Sequence, residues 1–561
     1  MINISCRPIK TIFRYIQTVR HLKPSQIFYR ILYRYRTSDL TGDLIYERNS
    51  NLLCSDFYDK PESYSENHTF FFIGREVHFP EQVDWSCNGL DTLWSYNLHY
   101  FDFINSRNSN TNTLLALIDD WIKHHQPQSK PGWASYPTSL RIVNWIKFDL
   151  KHGIFSEYEL NSLFTQCRWL CHRIEYDILA NHLLANAKAL LFGGMFFKGP
   201  EPGFWLKTGM SILNKELDEQ INSDGSHFEL SPMYHSIVLE DLLDIRLMHS
   251  LDNPVFPAEL VFKIDKLIEH MMVFTDSVTH PDGEVAFFND SAMGISLNQQ
   301  QLLEYRATVH QILDKPSAPQ SIRNKKESTG KYPDIPSSGY IKSLMNEFCL
   351  ISNVAPIVPS YQPAHSHADT LSFELSICQQ RVLVNSGTST YNISALRDFQ
   401  RSTRAHNTIE IDDKNSSDVW SAFRVAKRAK VLHHSRHTSK EKLIVSGSHG
   451  GYKTWFGGVI HSREWTLENQ KLTVKDTLDG RYRIARLFFY FHPDVSLESD
   501  NILKIPDGRH LQWVSTQSNL NWKKGLWYPR FGKALENIYL QIDLDCNSCI
   551  RKISNQVSLI T

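Results

Sequence analysis

Two periodicities divide the chain. From about residue 90 to about residue 330, apolar positions recur every three or four residues, the spacing typical of amphipathic helices. Six such segments are separated by short loops with Gly and Pro: Thr113–His124, Ser139–Leu150, Glu157–Ile174, Asn181–Phe192, Trp205–Ile221 and Ile237–Ser250. Helix after helix predicts an all-α domain of stacked hairpins, compatible with a toroid or a solenoid.

Beyond residue 336 the period changes to two, which is typical of strands. The predicted strands are Gly339–Leu344, Glu347–Ser352, Leu371–Ile377, Arg381–Asn385, Asn407–Ile411, Lys442–Ser446, Lys471–Asp476 and Ile484–His492. Many short strands in succession predict an antiparallel β-sandwich. The segment Lys315–Pro336, rich in Ser, Pro, Lys and Asn, reads as a linker. We therefore expect an N-terminal extension (1–80), a helical domain (81–330) and a sandwich (331–561).

Net charge and cysteine usage limit the classes of function that the sequence supports. The 60 Lys and Arg residues equal the 60 Asp and Glu residues, so the overall charge does not favour a nucleic-acid partner. The nine cysteines form no framework, and Cys546 and Cys549 make a single CxxC without the second pair of a zinc site. We expect nine reduced thiols in a cytoplasmic protein.

The N-terminal 36 residues are basic. They hold eight Lys and Arg residues and no acidic residue, but no long apolar segment of a secretory signal, and the chain has no run that could span a bilayer. Apolar residues from Ile12 to Leu22 are spaced as on one amphipathic helix. We favour packing of this helix on its own protein over peripheral contact with an anionic membrane.

Two stretches of the helical half carry candidate chemistry. Asn181 and His182 begin one predicted helix, where an Asn is also an ordinary N-cap. The block from Asp224 to His235 starts with an Asp-Gly turn and includes Glu229 and Tyr234 before an apolar helix. Such a density of titratable groups indicates a site as readily as an ordinary helix start.

A third stretch is His365-Ser-His367, just before the predicted strand Leu371–Ile377. If the extended backbone reached back to them, both imidazoles would lie on one face. His367 could also meet His406 and Asn385 around a divalent ion, although Asn is a weaker ligand than a carboxylate.

Taken in order, these motifs resemble the heparinase II/III and alginate-lyase superfamily of polysaccharide lyases, over roughly residues 90–490. The motifs are Asn181-His182, the block from Asp224 to His235, His280-Pro-Asp-Gly283 with Asn289-Asp290, His365-Ser-His-Ala-Asp369, Asn385-Ser-Gly-Thr388 and Arg404-Ala-His-Asn407. The resemblance implies an (α/α) toroid followed by an antiparallel β-sandwich, with a cleft between them. Glucuronyl C5-epimerases share this architecture.

The resemblance also implies roles for individual residues. Asn181 and His182 match the residues that neutralise the substrate carboxylate, and Tyr234 and His365 match the catalytic pair. His367, His406 and Asn385 match metal ligands, although the third ligand is usually Asp. The implied ion is zinc, manganese or calcium. We add Glu229, His235 and Arg404 as substrate-binding candidates.

The expected substrate is an anionic, uronic-acid-containing polysaccharide. Loss of the C5 proton places negative charge on the adjacent carboxylate, which the site must stabilise. Tyr234 and His365 would then serve as acid and base, with the pKa of Tyr234 lowered by nearby histidines. Departure of the glycosidic oxygen makes the enzyme a lyase, which we favour, whereas return of a proton makes it a C5-epimerase. A non-catalytic polysaccharide-binding protein is the second alternative, and a hydrolase is disfavoured because no pair of carboxylates stands out.

Overall fold

Helices form the N-terminal part of the protein. The computed structural model describes residues 7–36, 40–65, 67–107, 110–251, 255–313, 336–454, 457–545 and 550–560. The long helices are α1 (Arg7–Val19), α2 (Pro24–Tyr35), α3 (Thr92–Tyr100), α4 (Thr111–His124), α5 (Ser135–His152), α6 (Glu157–His172), α7 (Ala180–Phe196), α8 (Pro200–Gln220), α9 (Pro232–Ser250), α10 (Ala258–Ser277) and α11 (Gln299–Ile312). Short strands β1 (Glu47–Arg48), β2 (Tyr64–Ser65), β3 (Thr69–Phe72), β4 (Arg75–His78) and β5 (Phe197–Lys198) lie among them.

Helix α7 is the centre of the helical domain. It packs against α5, α6, α8 and α9, and its Ala- and Leu-rich sequence is buried almost all round. Trp94, Trp121, Trp145 and Trp205 of neighbouring helices are fully buried in the same core. Burial of this much apolar surface is the main stabilising contribution to the domain.

Antiparallel strands form the C-terminal part. They are β6 (Tyr340–Met345), β7 (Phe348–Asn353), β8 (Phe373–Ile377), β9 (Gln380–Leu383), β10 (Ile409–Ile411), β11 (Val419–Trp420), β12 (Arg424–Val425), β13 (Val431–Thr438), β14 (Lys442–Thr454), β15 (Gly457–Glu468), β16 (Lys471–Asp479), β17 (Ile484–Tyr490), β18 (Ser496–Ser499), β19 (Ile502–Lys504), β20 (His510–Ser515), β21 (Asn521–Trp527), β22 (Leu535–Asp545) and β23 (Ile550–Ile560), with one helix, α12 (Ala395–Gln400). The sheet orders are β13-β14-β15-β16-β23-β20-β19-β18, β10-β17-β22-β21 and β6-β7-β8-β9.

The predicted fold class, an (α/α) toroid followed by an antiparallel β-sandwich, is confirmed. All six helices predicted from periodicity are present within a few residues of their bounds. The predicted linker lies outside the described residues except for Pro336, as do Cys546 and Cys549. The six cysteines among the described residues are free thiols. Within the described ranges, no helix is long and apolar enough to cross a membrane.

Strand β8 is buried on both faces. It begins at Phe373, two residues after the predicted start at Leu371, and all five of its residues are buried. Glu374 is buried because its carboxylate accepts hydrogen bonds from the backbone N–H groups of Phe287 (3.0 Å) and Asn385 (2.6 Å). Polar residues alternate along this strand because they bind neighbouring segments, which satisfies their hydrogen bonds without water.

The two domains meet along the segment between α10 and α11. Phe288 of this segment stacks on Tyr340 of β6, with ring centroids 4.8 Å apart. The Asp224-Gly225 turn also reaches the sandwich, because the Asp224 carboxylate accepts a hydrogen bond from the Ser338 N–H at 2.8 Å. Gly225 has φ +85°, and a Cβ there would lie 2.2 Å from the carbonyl oxygen of His270. The candidate residues of both halves are therefore held at one junction.

Candidate active site

Tyr234 lies in the first turn of α9. Ser231 caps this helix by accepting a hydrogen bond from the Tyr234 N–H at 3.2 Å, and its hydroxyl donates to the Asp290 carbonyl oxygen at 2.5 Å. The preceding Leu230 has φ +52°, a strained conformation for a branched side chain. The start of α9 is therefore pinned to the segment that carries Asp290.

His365 lies against Tyr234. The two rings stack with centroids 3.9 Å apart and an interplanar angle of 28°. The Tyr234 hydroxyl also lies 3.3 Å from the hydroxyl of Tyr391. His365 is 7% exposed and Tyr234 is half-buried, so the pair is largely shielded from water.

Asp290 connects the two histidines of the His365-Ser-His367 motif. Its Oδ2 lies 3.0 Å from His365 Nδ1, and its Oδ1 lies 2.8 Å from His367 Nε2. Arg397 of α12 donates to both oxygens, at 2.5 and 2.7 Å. Burial alone would raise the pKa of Asp290, but Arg397 and the two histidines outweigh it and hold the pKa well below its usual range. The carboxylate is therefore ionised.

This arrangement corrects the expectation that both imidazoles lie on one strand face. Residues 365–372 precede β8 and are not part of the strand, so strand alternation does not apply to them. The two histidines instead bind opposite oxygens of one carboxylate. Asp290 was part of a matched motif but carried no predicted role, and Arg397 carried no sequence signal, because each acts only through a distant partner.

The pKa of Tyr234 also differs from expectation. Burial, the neighbouring Tyr391 and the charges of Asp290 and Glu229 raise the pKa of Tyr234 well above its usual value. The expectation that nearby histidines lower it was wrong, because negative charges and the apolar surroundings dominate. Tyr234 is therefore a protonated phenol at neutral pH.

Asn181 and His182 lie at the start of α7 and are held by two carboxyl groups. The Asn181 amide donates to Glu229 at 2.8 and 3.1 Å, whereas His182 Nδ1 lies 3.0 Å from Glu175. Burial alone would lower the pKa of His182, but Glu175 outweighs it and raises the pKa. Leu179, just before this helix, has φ +71°. The chain therefore enters α7 in a strained conformation, with Asn181 buried and the His182 side chain 32% exposed.

Tyr136 links this pair to Tyr234. Its ring centroid lies 4.4 Å from that of His182, and the pKa of Tyr136 is raised by burial and then by Tyr234. Tyr136 therefore contacts His182 and lies near Tyr234. The sequence assigned no role to Tyr136 or Glu175, because aromatic and acidic residues are frequent along the helices.

The structure places the three predicted substrate-binding residues differently. Glu229 is only 2% exposed and orients the Asn181 amide. His235 is 1% exposed, and its Nε2 lies 3.0 Å from the carbonyl oxygen of Met271, so it joins α9 to α10 and does not reach a substrate. Arg404 donates to Glu410 of β10 at 2.8 and 3.0 Å. We therefore correct the roles of Glu229 and His235 to supporting ones.

Of the predicted metal ligands, the structure brings two together. His367 Nδ1 lies 3.2 Å from His406 Nε2. His406 Nδ1 lies 2.7 Å from the Ser402 carbonyl oxygen, which only accepts, so His406 Nε2 presents a lone pair. His367 Nε2 faces the ionised Asp290, so in the neutral ring His367 Nδ1 presents one too. Burial lowers the pKa values of His367 and His406 to about 4 and about 3, which favours the neutral rings.

Asn385 does not join this pair. Its amide nitrogen donates to the Phe287 carbonyl oxygen at 3.1 Å, and its amide oxygen accepts from the Asn407 N–H at 3.0 Å. Both ends of the amide are therefore engaged in the fold. No group of three His, Cys, Asp or Glu residues suited to a metal occurs in the described part of the chain. Two nitrogen donors alone do not fit the expected three-ligand site.

Comparison with known proteins agrees with this architecture. The family model described as heparinase II/III N-terminus matches residues 138–311, and the one described as heparinase II/III-like, C-terminal, matches residues 327–553. The chain belongs to the heparinase II/III-like family. Apart from Tyr136, the site residues named above fall within these two regions.

The sequence identity to individual members of the heparinase II/III-like family is low. A heparin-sulfate lyase of Bacteroides stercoris is 27% identical over 263 residues, 45% of this chain and 38% of that protein. A heparin-sulfate lyase of Pedobacter heparinus is 27% identical over 276 residues, 46% of this chain and 39% of that protein. The matched region thus spans about two fifths of each relative.

Solved structures of the family share the fold. A heparinase III structure superimposes with a TM-score of 0.67 at 17% identity, covering 94% of this chain and 88% of the other. A heparan sulfate lyase from Pedobacter heparinus superimposes with a TM-score of 0.55 at 17% identity, covering 99% of this chain and 88% of the other. At this identity the likeness concerns the arrangement of the two domains.

Proposed function

We propose that this protein is a polysaccharide lyase that cleaves a uronic-acid-containing polymer by β-elimination. The observation that carries the proposal is the stack of Tyr234 on His365 at 3.9 Å, with Asp290 behind His365. A protonated phenol beside an oriented imidazole is an acid–base pair. The relatives named heparin-sulfate lyases support a glycosaminoglycan-like polymer as the substrate class.

Asn181 and His182 would bind the uronate carboxylate. The raised pKa of His182 favours its cationic form, and the Asn181 amide is oriented by Glu229. Both would stabilise the negative charge that develops when the C5 proton leaves. Because Glu175 and Glu229 hold these side chains before substrate arrives, little reorganisation is needed during the reaction.

His365 and Tyr234 would move the protons. The ionised Asp290 accepts the His365 Nδ1–H, which leaves a lone pair on Nε2 for the C5 proton. The C4–C5 double bond forms as the C4–O bond breaks, and Tyr234 donates its proton to the departing glycosidic oxygen. A proton passing from the His365 imidazolium to the Tyr234 phenolate then restores both groups, and no water is consumed.

A C5-epimerase would share these steps up to the carbanion and differ only in returning a proton to C5. The names of the relatives favour the lyase. A divalent ion beside His367 and His406 remains a proposal, and none of the steps above depends on it. A cytoplasmic location likewise remains a prediction from the sequence.

The deciding experiment is a turnover assay on heparosan, heparan sulfate, chondroitin and alginate in deuterated water. We expect ultraviolet absorbance from a 4,5-unsaturated uronate on at least one polymer. Deuterium at C5 without that absorbance would establish the epimerase instead. No turnover of any polymer, with binding retained, would support a non-catalytic protein.

Variants assign the roles within that assay. Tyr234→Phe and His365→Ala should each lower kcat by about 10²–10⁴-fold, the range for loss of a general acid or base. Tyr158→Phe removes a hydroxyl from a tyrosine that is 49% exposed on α6 and serves as the matched control. Unchanged kcat in both site variants would refute the assignment.

A further inference from the structure

Helices α1 and α2 expose their apolar side chains to solvent. The residues concerned are Ile12, Phe13, Ile16 and Val19 of α1 and Ile27, Phe28, Ile31 and Tyr35 of α2, which are 44–78% exposed. Their spacing of three, four and seven residues places them along one face of each helix. Exposed apolar faces of this kind on two consecutive helices mark an interaction site.

The inward face of α2 is held by polar contacts. The Tyr33 hydroxyl donates to the Ile174 carbonyl oxygen at 2.5 Å, and the Gln26 amide donates to the Ile178 carbonyl oxygen at 3.3 Å. Tyr29 packs on Tyr176 with ring centroids 4.7 Å apart. The helix is therefore anchored through these residues, and its apolar face remains outward.

Helix α1 rests on the other domain. Arg14 donates to both oxygens of Asp418 at 2.7 and 2.9 Å, and Tyr15 packs edge-on against Trp420 of β11 at 5.0 Å. Between the helices, Lys23 lies 4.0 Å from the ring centre of Tyr361. The two helices thus bridge the domains.

The surface around these apolar residues is positively charged. Residues 1–36 contain eight Lys and Arg residues and no acidic residue. Arg14 and Lys23 pair with Asp418 and Glu219. Arg20, Arg30, Arg34 and Arg36 are exposed on the same two-helix unit. Apolar side chains bordered by cationic ones complement a bilayer with anionic headgroups.

We propose that α1 and α2 dock this protein on the surface of an anionic lipid membrane. The apolar face would enter the boundary between headgroups and acyl chains, while the arginines bind lipid phosphates. A second copy of the chain fits less well, because a two-fold pair would place the same cationic surfaces against each other. The sequence favoured packing of α1 on its own protein over contact with a membrane. In this proposal the helices make both contacts, one on each face.

Docking in this way would place the cleft at the membrane. Helix α2 rests on Ile174 and Ile178, which flank Glu175, the partner of His182. Helix α1 rests on Trp420 through Tyr15, and two residues further along the chain the Ala422 carbonyl oxygen accepts from Arg397, the partner of Asp290. The substrate class reached there would be a polysaccharide chain held close to a lipid surface.

The test is cosedimentation of the full chain with phosphatidylcholine vesicles that contain or lack phosphatidylglycerol. We expect binding to be about tenfold or more stronger with phosphatidylglycerol, and weaker at high salt, because several arginines contribute. The variant Phe13→Glu, Ile16→Glu, Phe28→Glu, Ile31→Glu should lose this binding. Phe262→Glu, at a residue 70% exposed on α10, is the matched control and should bind like the parent protein.

Circular dichroism melts of the variant and sedimentation velocity of both proteins complete the design. An unchanged melting transition with lost vesicle binding supports the proposal. Vesicle binding equal to that of the parent overturns it, as does failure of the parent to bind anionic vesicles. A dimer that the four substitutions convert to a monomer, without a change in vesicle binding, would assign the surface to self-association instead.

Discussion

Tyr234 and His365 stack with ring centroids 3.9 Å apart, although they belong to different domains and are 131 positions apart in the chain. Tyr234 is placed by the first turn of α9, and His365 by the segment before β8. The Ser231 hydroxyl that caps α9 donates to the Asp290 carbonyl oxygen, and the Asp290 carboxylate binds His365. Asp290 therefore connects the two segments. Acid–base chemistry at this junction thus depends on how the domains are joined.

Asp290 should be essential for both stability and turnover. Asp290→Asn would leave Arg397, which is fully buried, without its counter-charge, and we expect a loss of about 3–5 kcal/mol in the free energy of unfolding. The orientation of His365 would be lost as well, so kcat should fall. Denaturant unfolding and the turnover assay measure the two effects.

The double variant Asp290→Asn, Arg397→Gln separates the effect on stability from the effect on turnover. Removing both charges should recover part of the stability lost by Asp290→Asn, because no unpaired charge remains buried. Turnover should stay low, since His365 still lacks its carboxylate partner. A single variant with normal stability and kcat would contradict the role of Asp290.

Glu175 should set the alkaline side of the pH–rate profile. His182 binds the uronate carboxylate best when protonated, so kcat/KM should fall as pH rises through the pKa of His182. Because Glu175 raises that pKa, Glu175→Gln should lower it and move the alkaline fall to lower pH by about one unit. The pH dependence of kcat/KM on the best polymer checks this.

Glu201→Gln is the matched control. Glu201 lies on α8, and its carboxylate pairs with Arg168 at 2.6 Å and not with a site residue. Its pH–rate profile should coincide with that of the parent protein. An alkaline fall that does not move in Glu175→Gln would show that His182 does not act as the carboxylate-binding cation.

Asp369 should make the protein less stable at alkaline pH. Burial raises the pKa of Asp369 to about 7, so its charged form is penalised in the folded state. An acid with a raised pKa has its full stabilising effect below about pH 4, the pKa in the unfolded chain, and loses it as pH rises to about 7. The free energy of unfolding should therefore fall by about 2–4 kcal/mol between pH 4 and pH 8 from this group.

Asp369→Asn should remove that fall, because an amide does not ionise. Unfolding by urea at pH 5 and pH 8 measures the difference. Asp479→Asn, at an exposed position of β16, should leave the pH dependence unchanged. Equal pH dependence in Asp369→Asn and the parent would show that Asp369 ionises freely in the folded protein.

Asn385→Asp distinguishes a structural amide from a metal ligand. The Asn385 side-chain amide donates to the Phe287 carbonyl oxygen, and the backbone N–H of Asn385 donates to the buried carboxylate of Glu374. A second carboxylate there should therefore be destabilising by about 1–3 kcal/mol or more. We expect a lower melting temperature with or without added zinc. Asn537→Asp is a control at another buried amide that binds a backbone carbonyl, in the sandwich on β22.

A metal role would give the opposite result. If His367, His406 and residue 385 bound an ion together, the new carboxylate would strengthen binding, and zinc would raise the melting temperature of Asn385→Asp more than that of the parent. Metal content of the purified proteins would report the same difference.

Local pattern in the sequence determined the order of elements. Periodicities of 3.6 and 2 residues arise from side-chain burial within one helix or strand, so they predicted the helical domain, the sandwich and most element bounds. The motif order was also enough to recognise the heparinase II/III-like family and to single out Asn181, His182, Tyr234 and His365. These four residues lie in short sequence motifs, which can be recognised without knowing what the residues contact in the fold.

The tertiary structure alone decided what those residues contact. Asp290, Arg397 and Glu175 act through partners 7–107 positions away, and the Asn385 amide is used by Phe287 and Asn407. The pKa of Tyr234 depends on the charges and burial that surround it, which no spacing reveals. Hydrogen bonds and electrostatic fields act over ångströms in space, and distance along the chain does not report them.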